Sequence, residues 1–124
     1  MIELTREALV PEEITAKVRS KFNGGVVTFL GTTRLFNEGH KVLFLEYETY
    51  PEMATKELEK VRQEIKERWG TDDVAISHRL GRLEIEDTSM VVAVACPHRK
   101  EAFQACAYVV DRVKESVPIW KKEY

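Results

Sequence analysis

The stretch "MVVAVACPHRKEAFQACAYVVDRVKESVPIWKKEY", residues 90–124, holds three kinds of chain in succession. Met90 to Cys96 is the longest unbroken apolar run, far short of the ~20 residues that a membrane span needs. Read with its flanks as residues 89–96, it predicts a strand buried on both faces. From about Pro97 to Val117, the residues Phe103, Cys106, Val110, Val113 and Val117 recur in steps of three and four, which predicts an amphipathic helix. Pro118 ends it, because proline excludes the residue before it from helical backbone, and "IWKKEY" is then expected to run extended.

Upstream, strands are expected at about 73–80 and 82–86, separated by Gly81. The clearest helix spans residues 51–69, where Ala54, Leu58, Val61, Ile65 and Trp69 share a face and Gly70 supplies the stop. "KVLFLEYETY", residues 41–50, alternates like one extended segment with apolar surface on both faces, and "VVTFLG" after Gly24 and Gly25 reads as another strand. Pro11 to about Ser20 reads as a short helix with Ile14, Val18 and Phe22 on one side. The sum is about three helices and five or six strands in mixed order. It predicts an α+β fold, one domain over residues 1–124, with a largely antiparallel sheet.

The composition, 44% hydrophobic and 32% charged over 124 residues, is that of a globular protein. The formal net charge of −2 gives no global field towards nucleic acid or anionic membrane, so any anion site must be a local gathering of cations. The start "MIELTREALVPEE" has acids and no apolar core, so no secretory signal is expected, and the cytoplasm is the expected location. Cys96 and Cys106 match no metal or redox spacing and read as reduced core cysteines.

The cations cluster in three places. On the last helix Lys114 is expected about 60° from the centre of the apolar stripe, with its stem along the buried side, whereas Arg112, Glu101 and Glu115 are expected to face water. A lone lysine there would snorkel to solvent. Here the chain turns at Pro118, and Lys121 and Lys122 can return towards it. "PHRK" places His98, Arg99 and Lys100 in the first turn of that helix, against its dipole, an arrangement suited to a phosphate or carboxylate. Arg34 in "GTTRLFNEG" sits in a glycine-bounded loop, where function often sits. His78, alternating with Val74, Ile76 and Leu80, reads as a packed histidine.

Together "GTTR", "LEYETYPEMA", "HRLG", "PHRKEAF" and "VPIWKKE" resemble the large, catalytic subunit of molybdopterin synthase, the MoaE-like family, from about Gly25 onwards and in that family's order. The resemblance implies an α/β hammerhead-type fold. It implies conversion of cyclic pyranopterin monophosphate to molybdopterin with two sulfurs. These arrive as a thiocarboxylate on the C-terminal Gly-Gly tail of a small ubiquitin-like partner, in a heterotetramer built on a dimer of large subunits. It implies no metal or cofactor. By motif, the catalytic lysine falls on Lys114 and the second pocket lysine on Lys121. Substrate contacts fall on Thr32, Thr33 and Arg34, on His98 with Arg99, and on Lys121, Lys122 and Glu123.

The chemistry agrees: a cyclic phosphate suits His98, Arg99 and Arg34, and Lys114 could protonate a leaving oxygen or attack the acyl carbon of the partner's tail. Since sulfur comes from the partner, the cysteines are expected to be dispensable. Family members often continue past "WKKE" and lend basic residues to the neighbouring pocket, whereas this chain stops at Tyr124, which leaves that contribution open. Two other readings remain: a non-catalytic dimeric module that holds a phosphorylated metabolite at "PHRK", and a structural subunit whose Trp120 segment is a dimer contact.

Overall fold

The computed structural model of the chain describes residues 1–124. Its elements are β1 (Ile2–Thr5), α1 (Pro11–Ala16), β2 (Gly25–Thr32), β3 (Phe36–Asn37), β4 (His40–Lys41) and β5 (Leu45–Thr49). They continue with α2 (Pro51–Trp69), β6 (Val74–Arg79), β7 (Gly81–Leu83), β8 (Thr88–Cys96), α3 (Arg99–Ser116) and β9 (Ile119–Glu123). A four-stranded sheet has the order β1-β6-β8-β2, a three-stranded one the order β7-β5-β9, and β3-β4 form a small arm. Every pairing is antiparallel except β1 with β6.

β8 occupies the interior of the larger sheet, as its unbroken apolar run requires. Its alternation sorts Met90, Val92, Val94 and Cys96 towards α2 and α3, where Ala54, Leu58, Val61, Ile65, Ala102, Ala105 and Val109 complete the main core. Val91, Ala93 and Ala95 point the other way, to Ile14 and Val18 beside α1. The smaller residues face the smaller cover. α2 ends at Gly70, whose φ of 71° is the left-handed conformation a side chain disfavours.

Several expectations need correction. α1 stops at Ala16, where the amides of Lys17 and Val18 turn back to Ile14 and Thr15, three residues earlier. That tighter turn breaks the helical period, so Val18 is buried while Phe22 is 76% exposed. The segment 41–50 is two strands in different sheets. Between them Val42 N–H donates to Leu35 O and Leu43 N–H to Tyr124 O, so backbone partners other than a sheet neighbour divide it. Strands number nine, because the two-residue β3 and β4 and the opening β1 escape a periodicity reading.

The buried stripe of α3 is also rotated from expectation. It runs through Ala102, Ala105, Cys106, Val109 and Val113, whereas Phe103 is 61% exposed. Small alanines let the helix lie close to the sheet, and a search for bulky residues passes over them. Lys114 consequently lies about 120° from the stripe's true centre, well off the buried side and exposed. Arg112 does not simply face water, since its guanidinium grips Glu64 of α2 at 3.0 Å. Glu101 has a sealed Oε2 with no partner.

Candidate functional site

A cleft of about 640 Å³ opens where the far ends of β2, β6 and α3 meet the second sheet. Its twelve lining residues include Arg34, Lys114 and Lys121, with His78, Tyr47, Thr32 and Ser89, and they contain no carboxylate. Three cations without a lining acid make an anion receptor. A small adjoining hollow, bounded by Thr32, Thr33, Arg34, Asn37, Tyr47, Lys121 and Glu123, extends it towards the β3-β4 arm.

Each cation comes from a different element. Lys114 stands in the last turn of α3, where the negative end of the helix dipole stabilises an ammonium. Pro118 then reverses the chain, and β9 pairs antiparallel with β5, setting Lys121 opposite Tyr47. Alternation along β9 puts Ile119, Lys121 and Glu123 on one side, and Trp120 and Lys122 on the other. Trp120 packs on Tyr50 with ring centroids 5.1 Å apart, which holds the strand from its outer face. Arg34 follows β2; its guanidinium donates to Asn37 Oδ1 at 3.1 Å, and Asn37 donates to Glu123 Oε1 at 2.7 Å. Glu123 lies 3.5 Å from the Lys121 ammonium, so one carboxylate orients both cations from the rim.

One sequence-designated residue, Lys122, takes another position, and Thr33 bounds only the smaller hollow. Lys122 lines neither hollow, because a strand cannot aim consecutive side chains the same way. Thr33 is buried and tied: its N–H and hydroxyl both donate to Asp87 O, at 3.0 and 3.2 Å, and its carbonyl accepts from Glu86 N–H. It fixes the loop that carries Arg34. Thr32, Arg34, Lys114, Lys121 and Glu123 do come together.

His98 and Arg99 do not join them within one chain. They stand exposed at the start of α3, and fifteen residues at 1.5 Å each put Arg99 about 22 Å along the axis from Lys114. The expectation of one hollow collecting Arg34, Lys114, Lys121 and His98 is therefore incorrect for a single copy. Gly25 explains their placement: a Cβ there would lie 2.9 Å from Arg99 Cα, so only glycine lets β2 begin against the helix start.

Sequence reasoning missed two cleft residues, Tyr47 and His78. His78 is indeed packed, at 6% exposure, with Tyr47 edge-on at 4.8 Å. It nevertheless lines the cleft, and burial lowers its pKa from the usual histidine value. A titratable residue closing an otherwise apolar row on β6 was the available signal. The cysteines lie elsewhere: burial pushes the Cys96 thiol up and the Cys106 thiol up to about 11, so both are held as thiols rather than thiolates.

Residues 4–116 match the family model described as MoaE protein. The chain belongs to this family. Curated MoaE relatives include the molybdopterin synthase catalytic subunit of Halalkalibacterium halodurans, 45% identical over 98% of this chain and 78% of that protein. The subunit of the same name from Pyrococcus abyssi is 49% identical over 90% of this chain and 76% of its own. The crystal structure of molybdopterin synthase from Staphylococcus aureus superimposes with a TM-score of 0.94 at 40% identity, covering 98% of this chain and 88% of that one. The α+β architecture of three helices with mostly antiparallel sheets is thus the MoaE fold. No helix is long and apolar enough to cross a membrane.

Proposed function

We propose that this chain is the catalytic subunit of a molybdopterin synthase. It converts cyclic pyranopterin monophosphate to molybdopterin, taking two sulfurs from the C-terminal thiocarboxylate of a small ubiquitin-like partner. The observation that carries this reading is the convergence of Arg34, Lys114 and Lys121 on one acid-free cleft in a chain of the MoaE family.

Both reactants are anions, and the cleft is built for anions. Arg34 binds phosphate oxygens through its planar fork. Lys121, steadied by Glu123, neutralises the incoming tail. Lys114, at the cleft wall, donates a proton to the oxygen that leaves as sulfur arrives, and Thr32 lines the substrate's side. Lys122 and Thr33 take no direct part. The setting is the cytoplasm, where buried free cysteines such as these persist in reduced form.

His98 and Arg99 can serve a cleft only from another copy, in an assembly built on a dimer of large subunits with a small partner on each. Purified chain mixed with pterin precursor and thiocarboxylated partner should yield the dithiolene product by mass spectrometry. No product from the folded wild-type chain would overturn the assignment. Mixing two impaired variants, Lys114→Ala and Arg99→Ala, tests the cross-copy arrangement. With random dimer exchange, about a quarter of the sites regain a full set if Arg99 acts in trans, and none if it acts in cis.

A further inference from the structure

The cleft contains a buried imidazole to which the sulfur-transfer roles above assign nothing. His78 Nδ1 lies 2.8 Å from Arg79 O, and a carbonyl only accepts, so in the neutral ring the proton sits on Nδ1 and Nε2 keeps its lone pair. Nε2 has no hydrogen-bond partner in the protein, yet it is not sealed. The side-chain atoms closed off from solvent without a partner are Ser77 Oγ, Arg79 Nε and Glu101 Oε2. The ring is held from the side by Tyr47 and lies between the register positions of Leu4 and Met90 on the neighbouring strands. Its free nitrogen is therefore a fixed acceptor on the cleft wall.

The chemistry of the proposed reaction calls for such an acceptor. When the thiocarboxylate sulfur has bonded to the substrate, carrier and substrate are joined as an acyl thioester. Sulfur is released to the substrate only when the acyl carbon takes another nucleophile. Water is the nucleophile that returns the carrier free, and it must lose a proton as it attacks.

The geometry points to His78 as the general base that activates this water, once for each sulfur delivered. The inference rests on the sulfur-transfer reading. The step balances: Nε2 takes a proton from water, the oxygen bonds to the acyl carbon, and the carbon–sulfur bond breaks with its electron pair on sulfur. The first products are a carrier carboxylic acid and a substrate thiolate. The acid then ionises to carboxylate by releasing the second water proton to solvent, and the imidazolium passes its proton to the thiolate or to solvent. The charged and titratable groups around the ring are Tyr47 from β5, Lys121 from β9, Lys114 from α3, Arg34 from the loop after β2, and Arg79 next in sequence. No carboxylate lines the cleft to hold His78 protonated, and burial favours the neutral, basic form.

The test uses full-length chain with thiocarboxylated carrier and pterin precursor, sampled by mass spectrometry in single turnover. In His78→Gln, which keeps hydrogen-bonding capacity but takes no proton, carbon–sulfur bond formation should persist. Thioester hydrolysis should fall at least about 100-fold, so that a carrier–substrate adduct accumulates. In His78→Ala, added imidazole should restore hydrolysis. In the wild type the hydrolysis rate should hold as pH drops below 6.5, the ordinary histidine value, and decline only through the lowered pKa of His78. That measurement stands even if the variants fail to fold.

Wild-type rates in His78→Gln, a slowed reaction with no thioester adduct, or a carrier amide trapped on Lys114 would each overturn the assignment. So would a wild-type profile whose midpoint lies at or above 6.5. A wild type that makes no product at all removes the sulfur-transfer reading itself, whereas an active wild type with an unaffected His78→Gln removes only this step.

Discussion

The two ends of α3 carry the same sign of charge in different company. At its start Arg99 and Lys100, with His98 beside them, stand exposed at the positive pole of the helix, where each of these two cations costs a few tenths to about 1 kcal/mol until an anion arrives. At its finish Lys114 stands at the favourable pole, and β9 brings Lys121 to the same cleft. One end opens on a cleft that gathers three cations, whereas the other stands on open surface, which on the proposed function serves a second copy. On that proposed function, position along the helix, more than residue type, separates the lysine placed at the chemistry from the cations left for docking.

The sharpest way to break this contrast is Lys114→Ala. Turnover should fall about 10²- to 10⁴-fold, the range for losing a positioned proton donor, while precursor binding by calorimetry and the melting temperature stay close to wild type. Unchanged turnover would remove the cleft from the chemistry. A smaller effect separates the two faces of β9. Lys121→Ala should lower kcat/KM about 10- to 100-fold by losing a charge-assisted contact, whereas Lys122→Ala should stay within about twofold. Equal losses would mean that the strand presents both side chains to substrate.

The middle of α3 offers a third comparison. Arg112 and Tyr108 bond Glu64 at 3.0 and 2.6 Å and pin α3 to α2, and these bonds, that of Arg112 foremost, hold the Glu64 carboxyl below the usual carboxylate range. A depressed carboxyl stabilises the fold above its unfolded pKa, 4.5, and loses that contribution as pH falls through the folded value. Glu64→Gln should therefore cost under about 1 kcal/mol at pH 7, seen as a drop in Tm of a few degrees, and the gap to wild type should close in acid. A gap that persists at low pH would assign the clamp to packing instead of charge. The smallest effect expected is on catalysis by Cys96→Ala with Cys106→Ala, which should keep sulfur transfer within about twofold, since both thiols are buried and protonated.

Local signals carried much of the architecture. The span of α2 and its Gly70 stop, the double burial of β8 and the extended run after Pro118 each follow from periodicity or punctuation within a few residues. What escaped was set by partners distant in sequence. β1 is a strand because it lies beside β6, and residues 41–50 divide because Leu35 and Tyr124 claim the backbone between Lys41 and Leu45. The stripe of α3 was misjudged because alanine gives a weak hydrophobic signal, although it decides how close a helix can lie. The cleft was half legible. Arg34 and Lys121 stand out from a glycine-bounded loop and the turn at Pro118, and Lys114 stands out although the buried-side stem expected of it rests on a misplaced stripe, while His78 looked like core because it is core. The separation of His98 from Lys114 is plain helix arithmetic, and a motif comparison does not perform it.

Thr33 has a practical bearing on anyone who would redesign the chain. Three hydrogen bonds to Asp87 and Glu86 bind the Arg34 loop to a turn more than fifty residues away. Grafting that loop from a relative without its matching turn would leave the guanidinium on an untethered segment. The two pieces therefore form one exchangeable cassette, and chimaeras should be cut so that they travel together.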